Sequence, residues 1–290
     1  MSWPPRQYGA VPPTLLVLAA IASVQFGAAF AKTLFDELGP GGTVFIRVLF
    51  AAIVVALIWR PRLAGHDRRE IGLAVAFGLV LAAMNLCFYA SLDRIPLGIA
   101  VTFEFVGPLG VAVFGSRRAL DLLWVALAAA GILLLSDFGG GGGLDRLGVA
   151  FALAAGALWA AYILLSARVG RRFPGGSGLA LAMVVATVPL APVGISAAGS
   201  DLLVPWILLV GAAVGVLSSA IPYTLELEAL RRLPVGVFGV LMSLEPAMGA
   251  LAGFVVLGEE LVAREVVAIL LVVAASAGAA RGAAVAPRDA

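Results

Sequence analysis

The sequence predicts an all-α polytopic membrane protein, with ten transmembrane helices built as two inverted five-helix repeats and both termini cytoplasmic. Three observations lead there: the composition, the placement of the basic residues and an internal repeat. Of 290 residues, 62% are hydrophobic and only 12% charged, and the mean hydropathy is +1.09. A soluble domain carries about 25% charged and about 45–50% apolar residues. Folding this chain in water would leave more apolar surface than one core could hide. A bilayer span takes about 20 residues, so the length admits roughly ten. Strands are excluded, because transmembrane strands run about 9–11 residues with alternating polarity, and the runs here are longer and apolar on all sides.

The apolar segments fall at about 14–34, 42–59, 71–91, 96–115, 120–136, 147–167, 178–197, 203–226, 235–256 and 264–281. The breaks between them are Pro/Gly or charge clusters: Gly39-Pro40-Gly41-Gly42, Arg60-Pro61-Arg62, Arg117-Arg118, Arg171-Arg172 and Arg231-Arg232. The start of the chain is rich in Trp and Pro (Trp3, Pro4, Pro5, Pro12, Pro13), and the first apolar run reads as a retained span rather than a cleaved signal. Trp59, Trp124 and Trp206 lie near segment ends and suit an interfacial belt.

The basic residues set the orientation. With cytoplasmic termini, the inside holds Arg6, Arg60, Arg62, Arg68, Arg69, Arg117, Arg118, Arg168, Arg171, Arg172, Arg231, Arg232, Arg281 and Arg288, fourteen of the 19 basic residues. The outside holds Lys32, Arg94, Arg146 and Arg264, and Arg47 lies within a segment. That bias satisfies the positive-inside rule. The net charge of +2 and pI near 9.0 therefore point to a lipid bilayer and not to nucleic acid. One cysteine (Cys87) and one histidine (His66) exclude a disulfide framework, an iron–sulfur cluster and a Cys/His zinc site, so no metal and no cofactor are expected. The same scarcity leaves an enzyme without a nucleophile–base pair.

Leu92–Gly115 aligns without a gap on Leu230–Gly253, with identities at Leu92, Arg94, Pro96, Gly98, Pro108, Ala112 and Gly115. Five helices per half is an odd number, so the second half must be inserted upside down, and Asp93-Arg94 is external where its counterpart Arg231-Arg232 is internal. The halves are expected at 14–137 and 147–281, joined by a Gly-rich linker at 138–146 that contains Gly139–Gly143. Inverted repeats of this kind are a mark of secondary transporters.

Charges within the spans are the leading site candidates, because each costs about 2.5–3.5 kcal/mol or more at the bilayer centre. Glu104 lies eight residues into the fourth segment, roughly 12 Å from its start. Glu245 is in the middle of the ninth, Arg47 one turn into the second and Glu226 near the cytoplasmic end of the eighth. Arg47 reads either as a substrate ligand or as the partner of a glutamate in a structural lock. Pro96 and Pro234 open their helices, whereas Pro108 and Pro246 sit deep inside theirs, where each removes a backbone bond. The matched breaks Gly107-Pro108 and Glu245-Pro246 suggest a central site and gate at the repeat interface, with simple curvature as the alternative. Asn85 and Tyr89 share one face at i, i+4, and Asn85 corresponds to Tyr223 under the repeat. Gln25, Ser218, Ser219 and Thr224 add neutral hydrogen-bonding groups, and Trp159 lines a cavity or fills space. Gly211-x-x-x-Gly215 and Gly249-x-x-x-Gly253 are close-packing faces, leaving monomer and homodimer both open.

The stretch Arg94-Ile-Pro-Leu-Gly-Ile-Ala-Val-Thr-Phe-Glu104-Phe-Val-Gly-Pro108-Leu, on to Arg117-Arg118, resembles the EamA-type branch of the drug/metabolite transporter superfamily. So do Ile221-Pro-Tyr-Thr-Leu-Glu226, Arg231-Arg-Leu-Pro234, Leu241-Met-Ser-Leu-Glu245-Pro246 and Gly258-Glu259. Within it the chain looks most like the threonine/homoserine exporter type, over about residues 14–281. The resemblance implies a ten-helix exporter in the cytoplasmic membrane that exchanges small amino acids or related metabolites against protons. Glu104, Glu245 and Glu226 then fall on the family's carboxylates. Glu228 is an extra acid where that branch would carry an apolar residue. The alternative within the class is a broad exporter of aromatic or cationic compounds, with Trp159, Tyr162, Tyr89 and Tyr223 lining the cavity. A membrane-embedded enzyme or a scaffold is the alternative outside it.

Overall fold

The computed structural model describes residues 11–61, 65–114, 120–135, 144–230, 232–233 and 235–285, and every regular element among them is helical. The helices are α1 (Pro13–Lys32), α2 (Phe35–Trp59), α3 (Arg68–Leu92), α4 (Leu97–Glu104), α5 (Val106–Phe114), α6 (Leu120–Leu135), α7 (Arg146–Gly170), α8 (Ser177–Ala198), α9 (Pro205–Gly215), α10 (Ile221–Leu230), α11 (Val235–Met242), α12 (Glu245–Ala252) and α13 (Ala263–Val285). A 3-10 turn covers Gly199–Leu203, and π turns cover Val216–Ala220 and Gly253–Leu257. Seven helical stretches are long and apolar enough to cross a membrane: Pro13–Lys32, Phe35–Trp59, Arg68–Leu92, Arg146–Gly170, Ser177–Leu203, Pro205–Glu226 and Val237–Leu257. Two shorter apolar stretches, Leu97–Val111 and Leu122–Leu134, join them. This is a multi-pass membrane protein. The glycine run Gly139–Gly143, Arg117, Arg118, Arg231 and Pro234 lie outside the described residues.

Local chemistry starts the helices. Pro13 and Pro205 stand in first turns, where their missing N–H groups cost nothing. Asp67 accepts the Glu70 N–H at 2.7 Å while Glu70 accepts the Asp67 N–H at 3.2 Å, a reciprocal cap on α3. Asp145 caps α7 by accepting the Gly148 N–H at 2.7 Å. That bond above all, aided by Arg94, holds its carboxyl below the ordinary 3.8.

Four segments differ from the pattern expected of uninterrupted rods. The second begins at Phe35 rather than 42, because Leu34 and Leu38 bury against Ala198 and Leu202 and carry the helix through the Gly-Pro-Gly-Gly run. The run survives as a kink: Gly39 takes φ 64°, open to glycine, and Pro40 cannot donate to the turn behind it. The fourth and ninth segments are each broken in two. Pro108 has no N–H for the Glu104 carbonyl, and α4 ends at Glu104. Pro246 has none for the Met242 carbonyl, and α11 ends at Met242. The eighth segment widens into the π turn at Val216–Ala220 and continues to Leu230.

The most extensive helix contacts are α2 with α8, α3 with α7, α6 with α13, α3 with α8 and α1 with α10, and α4 also packs on α12. Buried positions are crowded with alanine and glycine, as expected where packing in lipid rests on close backbone approach. Leu57, Leu122, Val188 and Leu209 face outward, 68–73% exposed, which a bilayer accepts and water would not. The two small-residue faces are spent inside the chain, since Gly211 abuts Ile46, Gly215 abuts Arg47 and Ala51, and Gly249 abuts Gln25 and Val101. Trp206 is exposed, but Trp59 packs over Gly175–Gly176 and Trp124 against Gly278, where glycine leaves room for an indole.

Gly107 and Gly156 let the α4–α5 break sit directly on the α7 backbone. A Cβ on Gly156 would stand 2.6 Å from the Glu104 carbonyl oxygen, the atom that Pro108 leaves without its helical donor. Gly156→Ala must push the break off α7 and is expected to cost about 1–3 kcal/mol, read as a lower thermal midpoint in detergent. Gly110→Ala, which faces open space, leaves the midpoint unchanged or raises it.

Candidate functional site

Arg47 on α2 is the centre of the polar interior. Its Nε donates to Ser218 Oγ at 2.7 Å, its Nη1 to Asn85 Oδ1 at 2.5 Å and its Nη2 to the Ser218 carbonyl at 3.4 Å. The guanidinium also sits 5.3 Å from the centre of the Tyr89 ring. Each partner is itself held. Asn85 Nδ2 donates to the Leu81 carbonyl at 2.8 Å, which turns its oxygen toward the arginine. Ser218 Oγ donates to the Val214 carbonyl at 2.6 Å within the π turn. Tyr89 is fully buried and its hydroxyl has no hydrogen-bond partner among the described residues. All of these partners are neutral: no carboxylate among the described residues lies within 4.0 Å of Arg47. The structural-lock reading of Arg47 thus finds no direct ion pair, although Glu104 lies within its electrostatic range. Asn85 and Ser218 reach it first, because α3 and the π turn present their oxygens at its fork.

The acids stand on three other helices. Glu104 at the end of α4 and Glu245 at the start of α12 are 8% and 6% exposed, and Glu226 on α10 is half-buried. Glu245 is within electrostatic range of both Glu104 and Glu226, and Arg47 is within range of Glu104 and Tyr223. Glu245 Oε2 accepts from Gln25 Nε2 at 3.5 Å. Tyr223 and Tyr162 lie within electrostatic range of one another, and Trp159 meets Phe105 edge-on at 5.4 Å beside the α4–α5 break. The helix breaks thus carry the acids: Gly107 and Pro108 follow Glu104, and Pro246 follows Glu245. Among the described residues no three His, Cys, Asp or Glu groups converge as they would to hold a metal ion.

At one end of the α4–α12 pair the two halves of the chain are tied by charge. Lys32 Nζ bonds Glu259 Oε1 at 2.7 Å and the Ile95 carbonyl at 3.3 Å, while Glu259 Oε2 accepts the Leu97 N–H at 2.8 Å at the start of α4. Sequence reasoning read Lys32 only as an outside charge and Glu259 only as part of a motif. The available signal was that Lys32 is the chain's sole lysine among 19 basic residues, although no spacing linked it to a glutamate 227 positions away.

The threonine/homoserine exporter RhtA of Salmonella typhimurium (strain LT2) is 42% identical over 271 residues, covering 92% of this chain and 90% of that protein. The threonine/homoserine exporter RhtA of Escherichia coli (strain K12) is 40% identical over 270 residues with the same coverage. The EamA-like transporter family matches residues 146–281. The chain belongs to the EamA-like transporter family. A protein of known crystal structure, 18% identical, superposes with a TM-score of 0.63 over 92% of this chain and 96% of its own, so the fold recurs at low identity.

In this transporter the predicted residues divide by position. Arg47, Asn85, Tyr89 and Ser218 form one assembly on α2, α3 and the π turn. Gln25 and Glu245 join α1 to α12, with Glu104 and Glu226 in electrostatic reach. Glu228, the extra acid, is paired with Arg232 one turn away, at the end of α10 and away from this assembly.

Proposed function

We propose that the chain exports small amino acids such as threonine and homoserine across the cytoplasmic (inner) membrane by proton antiport with alternating access. The observation that carries this reading is the Arg47 guanidinium held by neutral groups with the buried Glu104 carboxylate within its electrostatic range. A zwitterion needs such a pair of poles. Three of the five guanidinium N–H donors are occupied, which leaves two for a substrate carboxylate. Glu104 and Glu245 receive the substrate ammonium or a proton, and exclusion of one by the other couples the two fluxes. A lipophilic cation has no carboxylate to offer the two free guanidinium donors, which weighs against the broad cation exporter. The identity to proteins named threonine/homoserine exporters supports the same substrate class.

In this reading ten helical passes form two inverted five-helix repeats at 14–137 and 147–281, joined by the linker at 138–146, with both termini cytoplasmic. The packing pairs support it: α1 meets α10 and α3 meets α7, the first and third passes of each half exchanged. The second, fourth and fifth passes meet their own counterparts. The Lys32–Glu259 tie is then the external gate. With Cys87 replaced by serine, Lys32→Cys and Glu259→Cys joined by a reducible thiol cross-linker are expected to lose at least about tenfold in counterflow and regain it on reduction. Lys32→Met removes a partly buried pair worth about 1 kcal/mol and is expected to shift the closed–open balance about fivefold.

The test of the function is counterflow of labelled threonine in liposomes holding the purified chain, with and without a pH gradient. Stimulation by the gradient and competition by homoserine support proton-coupled export. Competition by lipophilic cations alone would overturn it.

A further inference from the structure

Gln25 is 4% exposed on α1, yet only half of its amide is used. Its Nε2 reaches Glu245 Oε2 at 3.5 Å, while its Oε1 has no hydrogen-bond partner among the described residues. Buried polar groups are rarely left so. Gln25 points to α12, while residues two positions away, on the opposite face of α1, meet the π turn. Two residues earlier, Ser23 Oγ donates to the Leu217 carbonyl at 2.6 Å. Two residues later, Gly27 lies against the backbone of Ser218, whose hydroxyl receives Arg47. On the other side are Glu245 and Gly249 of α12.

We infer that Gln25 is the residue that reads the side-chain hydroxyl of the substrate. The inference rests on the proposed amino-acid export and adds to it a determinant of specificity. A zwitterion whose ammonium is held at Glu245 brings its α-carbon and side chain beside Gln25, which contacts that carboxylate at 3.5 Å and keeps its Oε1 unpaired. Threonine and homoserine are each 2-aminobutyrate plus one hydroxyl, on different carbons. A hydroxyl donates and accepts at once, so it satisfies the free end of the amide whichever way the amide is turned. An analogue without the hydroxyl leaves that end unpaired in a site that excludes water. Sites built to pair a substrate hydroxyl are the ones that discriminate strongly against its absence.

The test uses the full chain in liposomes, with labelled threonine and labelled 2-aminobutyrate measured side by side. The unmodified chain is expected to prefer threonine by about tenfold or more in kcat/KM. Gln25→Leu is expected to bring the ratio of kcat/KM for threonine over 2-aminobutyrate down to about one. Gln25→Glu, which keeps an acceptor, retains a preference for threonine. Stabilisation of the detergent-solubilised chain against heat by each amino acid gives a second readout, independent of turnover. Two results overturn the inference and leave the amino-acid export standing: no preference in the unmodified chain, or a preference that survives Gln25→Leu. Equal loss of both substrates in folded Gln25→Leu also overturns it, since that marks a residue needed for the site as a whole. If the unmodified, folded chain moves neither amino acid, the proposed export fails and the inference with it.

Discussion

Arg47→Gln is expected to lower threonine counterflow by at least about a hundredfold. The substitution removes the positive pole and strands Asn85 Oδ1 and the Ser218 oxygens, which are aimed at it. Loss of one partner from a buried charge pair costs about 3–5 kcal/mol, and about 1.4 kcal/mol is a factor of ten. Arg47→Lys is expected to recover little, because an ammonium cannot fill a fork whose donors reach three separate acceptors and the substrate as well. The deciding measurement pairs kcat/KM with competition by threoninamide, which lacks the carboxylate charge. The unmodified chain is expected to bind the amide poorly, and folded Arg47→Gln to lose that discrimination. Undiminished transport by Arg47→Gln would remove the carboxylate-binding role.

Glu104→Gln is expected to abolish the response to a pH gradient, with loss of flux of about two orders of magnitude from the unpaired ammonium. Its side chain is the acid at the broken end of α4, and glutamine fits the same space without the charge or the titrating proton. Glu245→Gln provides the comparison, since Glu245 already has a contact from Gln25 while Glu104 has no hydrogen-bond partner among the described residues. The measurement is counterflow at equal pH on both sides against uptake driven by a gradient. Full gradient stimulation in Glu104→Gln would mean that the proton travels by another carboxylate.

Much of this was legible in the sequence for reasons of solvent and covalent structure. Helices are the one way a chain this apolar satisfies its backbone in lipid, so composition alone led to an all-α membrane protein. Pro108 and Pro246 lack an N–H wherever they stand, which marked these positions as candidates for a break or a bend, although Pro189 and Pro192 stand inside an unbroken α8. An acid within an apolar run must have a reason to be there, which singled out Glu104, Glu226 and Glu245. The resemblance of the Glu104 and Glu245 stretches to EamA transporters anticipated the family that the relatives then showed.

What the tertiary structure alone decided is how these groups partner one another. Arg47 could have met a glutamate, and the sequence left that open. The π turn decides it by carrying both oxygens of Ser218, 171 positions away, to the guanidinium before any acid reaches it. Lys32 and Glu259, and Gln25 and Glu245, are likewise pairs of distant residues with no periodic signal between them. The physical reason is common to all three. Hydropathy and proline chemistry act within a few residues of one another, whereas a hydrogen bond depends on positions set by the packing of every helix between its partners.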